Sequence, residues 1–173
     1  MADDVDFDSL VTRFYEPLYQ FAFSLTRAEA DACDLTQQTF TIWATKGHQL
    51  RDASKVKTWL FTTLHREFLE SRRRQTRFPH LELDETVVEL PAVSPAAVSR
   101  LDTAHVLDVL ARVAGIYQAP VALFYLQDCS YNEIAEILNV PLGTVKSRLA
   151  RGITQLQQLM AGDIAAGQPP PTL

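Results

Sequence analysis

A chain of 173 residues, 47% hydrophobic and 21% charged, can bury a core as one domain or as two small ones. No apolar run approaches the roughly 20 residues that span a membrane, and the acidic start Met1-Ala2-Asp3-Asp4-Val5-Asp6 lacks a secretory leader, so the sequence places the chain in the cytoplasm with no membrane segment of its own. The net charge of −5 argues against a nucleic-acid partner until it is divided: residues 51–80 hold 8 basic and 3 acidic side chains and residues 141–173 hold 3 and 1, whereas residues 1–50 hold 3 and 8 and residues 81–110 hold 1 and 6.

Local charge, not the total, sets the field at a docking surface. Two basic islands separated by an acidic stretch therefore point to two DNA-facing modules. Cys33 and Cys129 stand far apart without a Cys-x-x-Cys partner and read as plain thiols, and His48, His65, His80 and His105 show no ligand spacing. The reading assigns no metal and no cofactor.

Phe7, Leu10, Val11, Phe14, Leu18, Phe21, Ala22 and Leu25 keep helical spacing. Thr26-Arg27-Ala28-Glu29-Ala30-Asp31 reads as a polar joint, and Leu35, Thr39, Ile42 and Trp43 carry a second helix that Gly47 ends. Residues 48–54 read as a loop. A third helix is expected from about Lys55 to Arg74, with Val56, Leu60, Leu64 and Phe68 inward and Thr58, Thr62, His65, Arg66 and Arg73 on the opposite side. Arg72, Arg73 and Arg74 suit the negative end of that helix's dipole, so they serve a cap as well as they serve DNA. The segment 77–97 holds Pro79, Pro91 and Pro95 with four acids and reads as a linker. Helix returns from about Ala96 to Val113 and from about Pro120 to Leu126.

Residues 130–160 carry the sharpest signal. Ser130 and Glu133 have capping-box spacing. Ile134, Ala135, Ile137 and Leu138 form an apolar face, and Asn139-Val140-Pro141 interrupts it, since proline cannot continue one helix but tolerates the first turn of the next. In the helix that follows, Val145, Leu149, Ile153, Leu156 and Met160 share one side, while Thr144, Ser147, Arg148, Arg151 and Gln155 share the other. Arginine makes two hydrogen bonds to guanine and Ser or Thr serve a base edge or phosphate. Lys146 on the flank suits a phosphate. This is a helix-turn-helix whose second helix enters a major groove. Residues 161–173 read as a disordered tail.

The chain resembles the extracytoplasmic-function sigma factors. Asp34-Leu35-Thr36-Gln37-Gln38-Thr39-Phe40 with Trp43, then Thr58-Trp59-Leu60 with Arg72-Arg73-Arg74, resemble segments of that family's first conserved module. Ser130-Tyr131-Asn132-Glu133-Ile134-Ala135 and Gly143-Thr144-Val145-Lys146-Ser147-Arg148-Leu149 resemble its last. The resemblance covers about residues 7–76 and 98–160. It implies an all-α chain of two small helical domains, residues 1–76 and 98–160, joined by the acidic, proline-containing linker 77–97. It implies a bacterial transcription initiation factor that binds the clamp helices and flap of core RNA polymerase, recognises promoter DNA and is held by an anti-sigma factor. By position, Asp34, Gln37 and Gln38 would dock on polymerase. Arg51, Thr58, Thr62, His65, Arg66 and Arg73 would serve the minus-ten element, with residues 48–54 as the base-capturing loop. Thr144, Lys146, Ser147, Arg148 and Arg151 would read the minus-thirty-five element. The chain departs from the family pattern at Gln38 (usually Glu), Arg66 (near a usual Asn), Gln118-Ala119-Pro120-Val121 and Cys129 (usually Gly).

Two other classes remain to be separated from this reading. A conventional dimeric helix-turn-helix regulator would share residues 130–160 but would carry a sensor, typically with a sheet, in its first half. A small helical enzyme would need a convergent nucleophile, base or metal set; none is found, so no residue is assigned as catalytic.

Overall fold

Helix α1 (Phe7–Thr26) starts where the Asp6 carboxylate accepts from the Ser9 amide at 3.2 Å and the Ser9 hydroxyl at 2.8 Å. It buries Leu10, Phe14, Leu18, Phe21, Ala22 and Leu25, the stripe seen in the sequence, while Phe7 at its start is 44% exposed. The structure, a computed structural model, describes residues 6–77 and 98–166, and every regular element among them is helical. Arg27 ends α1 in the left-handed region (φ 58°), its amide donating to the Phe23 carbonyl at 2.9 Å. Helix α2 (Glu29–Lys46) begins two residues later. The polar joint expected at residues 26–31 is therefore only Arg27 and Ala28. Glu29 and Asp31 belong to the first turn of α2, where acidic side chains meet the positive helix end.

Thr36 and Thr39 are buried in α2 because their hydroxyls donate back to the Ala32 and Leu35 carbonyls at 2.7 and 2.8 Å. At its end a Cβ on Gly47 would sit 2.5 Å from the Trp43 indole, so glycine alone lets the chain turn over that ring. Trp59 then meets Trp43 edge-on at 5.0 Å. The segment read as loop contains two 3₁₀ turns, Gly47–Gln49 and Ala53–Lys55, the second capped by Asp52 through the Ser54 amide at 2.9 Å. Helix α3 (Val56–Arg77) follows and packs on α1 and α2.

The second half holds α4 (Val98–Arg112), α5 (Gly115–Gln127), α6 (Tyr131–Leu138) and α7 (Leu142–Ala165). Helix α5 begins well before Pro120, the start expected from the sequence. Proline strips an intrahelical donor only from the Ile116 carbonyl, and Ile116 is 61% exposed, where water can substitute. The Gln118 amide also donates to the Ala111 and Val113 carbonyls at 3.0 and 2.9 Å, stitching the end of α4 to α5. Helix α7 runs to Ala165, five residues into the segment read as a disordered tail. The reason is Asp163, which is buried and clamped by the Arg112 guanidinium of α4, with one arm of the fork at 3.1 Å. That guanidinium holds the Asp163 carboxyl below the usual carboxylate range. Residues 167–173, and all of the expected linker except Arg77, lie outside the described residues.

The two halves share a core. Helix α1 packs on α4 and α5, α3 packs on α6, and the buried apolar side chains from both halves form one cluster. Within the second half, α5 and α7 cross closely at Gly152: a Cβ there would lie 2.5 Å from Val121 Cγ2 and 3.0 Å from Tyr117 Cβ. Val121 is fully buried and cannot retreat cheaply. Gly152→Ala is expected to destabilise the chain by about 1–3 kcal/mol through overpacking, read as a lowered melting temperature. An unchanged melting temperature would mean the crossing has slack.

Candidate nucleic-acid interface

Helix α6 is held by both arms of a capping box. The Ser130 hydroxyl accepts the Glu133 amide at 3.2 Å and Glu133 Oε2 accepts the Ser130 amide at 2.7 Å. That backbone donor holds the Glu133 carboxyl below its ordinary range. Asn139 then adopts φ 52°, ψ 51°, a conformation asparagine tolerates better than most residues. Its amide reaches the Glu136 carbonyl at 3.3 Å, and the Val140 amide reaches the Ala135 carbonyl at 3.1 Å. The Pro141 carbonyl accepts from Thr144 and Val145 at 3.0 and 3.2 Å and starts α7. The turn thus fixes the angle at which the second helix leaves.

On α7, Val145, Leu149 and Leu156 are buried, and Ile153 and Met160 are half-buried. Lys146, Ser147 and Arg151 are exposed, with Thr144 and Arg148 half-exposed beside them. Thr144, Ser147, Arg148 and Arg151 therefore share the outer side of the first turns, spanning roughly 10 Å at 1.5 Å per residue, close to the width of a major groove, while Lys146 is exposed on the flank. Gln155, read on the same face, points elsewhere. Its Oε1 accepts the Ala114 amide at 3.0 Å at the start of α5.

The first half departs more from expectation. Arg51, Arg66 and Arg73 are exposed, and Thr62 is half-buried. Thr58, however, is 7% exposed, and His65 is half-buried with its ring 6.5 Å from that of Phe21. Helix α3 is packed by α1, α2 and α6 together, which leaves its first turns little outer face. Burial lowers the His65 pKa to about 4, so at neutral pH it is an uncharged ring, not a cation for phosphate. The helical projection failed here because it assumed partners on one side only. It also passed over Lys57, whose Nζ donates to the Gln127 carbonyl of α5 at 2.5 Å; no local pattern announces a partner so distant in sequence.

Asp34, Gln37 and Gln38 are exposed on α2. Asp34 and Gln38 line an open groove of about 430 Å³ between α2 and the second half of α3, whose other wall carries Glu67, Glu70, Arg72 and Arg74. Cys33 is half-buried and Cys129 is buried; burial pushes the Cys129 thiol up to about 11. No helix among the described residues is long and apolar enough to cross a membrane.

A capped helix-turn-helix with outward arginines, coupled to a helical first half that ends in a run of arginines, defines a two-module DNA-binding protein. Residues 10–78 match sigma-70 region 2 and residues 105–156 match sigma-70, region 4. The chain is 33% identical over 159 residues to the ECF RNA polymerase sigma factor SigE of Mycolicibacterium smegmatis, across 89% of this chain and 61% of that protein. It is 27% identical over 159 residues to the RNA polymerase sigma factor YlaC of Bacillus subtilis, across 88% and 91%. The sigma factor RpoE of Bartonella quintana, solved with the anti-sigma factor NepR, superposes with a TM-score of 0.76 at 30% identity, across 91% of this chain and 98% of that one. The chain belongs to the sigma-70 family, in its extracytoplasmic-function branch: it is an RNA polymerase sigma factor for transcription initiation. The match of the first half to region 2, with no strand among the described residues, sets the regulator with a sheet-containing sensor aside.

His65 supplies a test of the packing around α3. Its folded pKa, near 4, lies below the unfolded value of 6.5, so as pH falls the unfolded chain takes up the proton first. The stabilisation is full above pH 6.5 and is lost on descending toward 4. His65→Gln is expected to flatten that part of the stability profile relative to wild type, and ring carbon shifts in wild type should titrate well below 6.5. A His65 ring titrating at 6.5 or above would show that the site is open to water.

Proposed function

We propose that this sigma factor joins core RNA polymerase through the exposed face of α2, with Asp34, Gln37 and Gln38 at the contact. The turn residue Arg51 and the outer side of α3, with Thr62, Arg66 and Arg73, then serve the minus-ten element, and Thr144, Lys146, Ser147, Arg148 and Arg151 of α7 read the minus-thirty-five element as duplex. The supporting observation is the outer face of α7, where two arginines and two hydroxyls lie together with Lys146 on the flank. Residues 1–76 and 98–160 act as separate modules in this reading, tethered through 77–97. The protein is not itself an enzyme; it contributes binding energy that places polymerase and stabilises unpaired DNA. It works in the cytoplasm, where promoter and polymerase are. The relative solved with NepR supports an anti-sigma partner for this chain as well.

Run-off transcription with core polymerase on a promoter library, with and without the chain, tests the reading. Initiation at a defined subset of promoters is expected, and failure of the chain to associate with core polymerase would overturn it. Within the holoenzyme, Arg148→Ala or Arg151→Ala is expected to weaken minus-thirty-five binding by about 1–3 kcal/mol and relax specificity there. Lys146→Ala should instead weaken binding evenly across sequences and reduce the salt slope by about one. Unchanged affinity and specificity at fixed salt in both arginine variants would remove α7 from the bases.

A further inference from the structure

We propose that Arg27, at the turn between α1 and α2, is a phosphate-binding residue that carries the basic end of α3 further along promoter DNA; the proposal rests on the promoter reading above. Among the described residues, three other than glycine have a positive φ: Arg27 at 58°, Asp128 at 51° and Asn139 at 52°. Each ends a helix in the left-handed region. Asp and Asn are types that tolerate that backbone, whereas arginine gains nothing from it and glycine would adopt it free of Cβ crowding. Nor does the turn use the Arg27 side chain. The Arg27 amide donates to the Phe23 carbonyl at 2.9 Å, the Ala32 amide donates to the Ala28 carbonyl at 2.9 Å, and the Thr26 hydroxyl donates to the Ala28 carbonyl at 3.2 Å. Arg27 is exposed, and its guanidinium makes no ion pair among the described residues. A strained backbone position thus carries a side chain that contributes no contact to the fold.

The place of the turn points to the ligand. Leu25, Thr26 and Asp31, on either side of Arg27, line the groove whose opposite wall carries Arg72, Arg74 and Gln75 of α3. Arg27 therefore stands at the same end of the first half as the Arg72-Arg73-Arg74 run. Within that run Arg73 and Arg74 share Glu70, at 3.9 and 3.8 Å, and Arg72 lies over the Phe68 ring at 5.7 Å. Arg27 adds to this end a cation that no carboxylate tempers. Four guanidiniums brought together from two segments distant in sequence suit a regular polyanion, and a DNA strand offers one phosphate about every 3.4 Å. The planar fork of arginine matches phosphate oxygens with two donors. Such a contact fixes register on the duplex without reading its bases.

The test sets stability against binding. In reconstituted holoenzyme, Arg27→Gly and Arg27→Asn are expected to weaken promoter complexes about tenfold. The loss should be even across minus-ten sequences, and log affinity against log salt should become shallower by about one. The same variants of the free chain should melt about 2–4 °C higher, because the left-handed turn is relieved. A residue that merely held the fold would lower both readouts together. Arg27→Lys keeps the charge and should retain the salt slope. Wild-type affinity and slope in the Gly and Asn variants would overturn the assignment, as would a lowered melting temperature in both. Weaker association with core polymerase at an unchanged promoter slope would make Arg27 a protein contact and also overturn it. A wild-type holoenzyme that forms no salt-dependent promoter complex would overturn the promoter reading, and Arg27's role with it.

Discussion

Helix α3 has more apolar surface than one neighbour can cover, and the rest of the structure follows from that excess. Val56, Leu60, Phe61 and Leu64 are all buried, yet at about 100° per residue they spread over more than a third of the helix circumference. A two-helix partner of α1 and α2 takes part of this surface. The remainder stays costly to water unless something else covers it, and α6 packs on α3 as well. Helix α6 is eight residues long, too short to be stable alone, and it too needs an apolar surface to rest on. Each element supplies what the other lacks.

Charge is handled differently at the two helices proposed to face DNA. On α3, Arg66 lies 3.9 Å from Glu67, and Arg73 and Arg74 lie 3.9 and 3.8 Å from Glu70. Those acids thin the field of the basic island before any phosphate arrives. On α7, Lys146, Arg148 and Arg151 make no ion pair among the described residues. Its positive potential is therefore undivided, which suits the proposed contact with duplex, where released counterions supply affinity. At the end of α3, neighbouring carboxylates temper the arginines.

What the sequence disclosed follows the range of the interaction that decides each feature. The stripe of α1, the Ser130–Glu133 box, the Asn139-Val140-Pro141 turn and the outward set on α7 are settled within a turn or two of chain, and each was legible. The Thr58 and His65 positions, the diversion of Gln155 to the Ala114 amide and the extension of α7 to Ala165 depend on partners in other helices. Asp163 is ordered by Arg112, which stands 51 residues away in sequence, and nothing near Asp163 distinguishes it from a tail residue. Pro120 misled for a related reason. It removes only the hydrogen bond to the exposed Ile116 carbonyl, while Gln118 ties that turn to α4 and the helix forms through it.

The turn between α6 and α7 links fold to function most directly. A recognition helix is useful only if its angle to the body is fixed, because a tilt of a few degrees over roughly 10 Å moves a guanidinium off a two-bond contact with guanine. Here three independent constraints set that angle. The capping box fixes where α6 begins, Asn139 in its left-handed conformation fixes the reversal, and Val145 and Leu149 seat α7 in the core. The short α6 also leaves Glu136 within reach of Lys55. The helix that sets the angle of the proposed duplex reader is thus the one that also packs on α3.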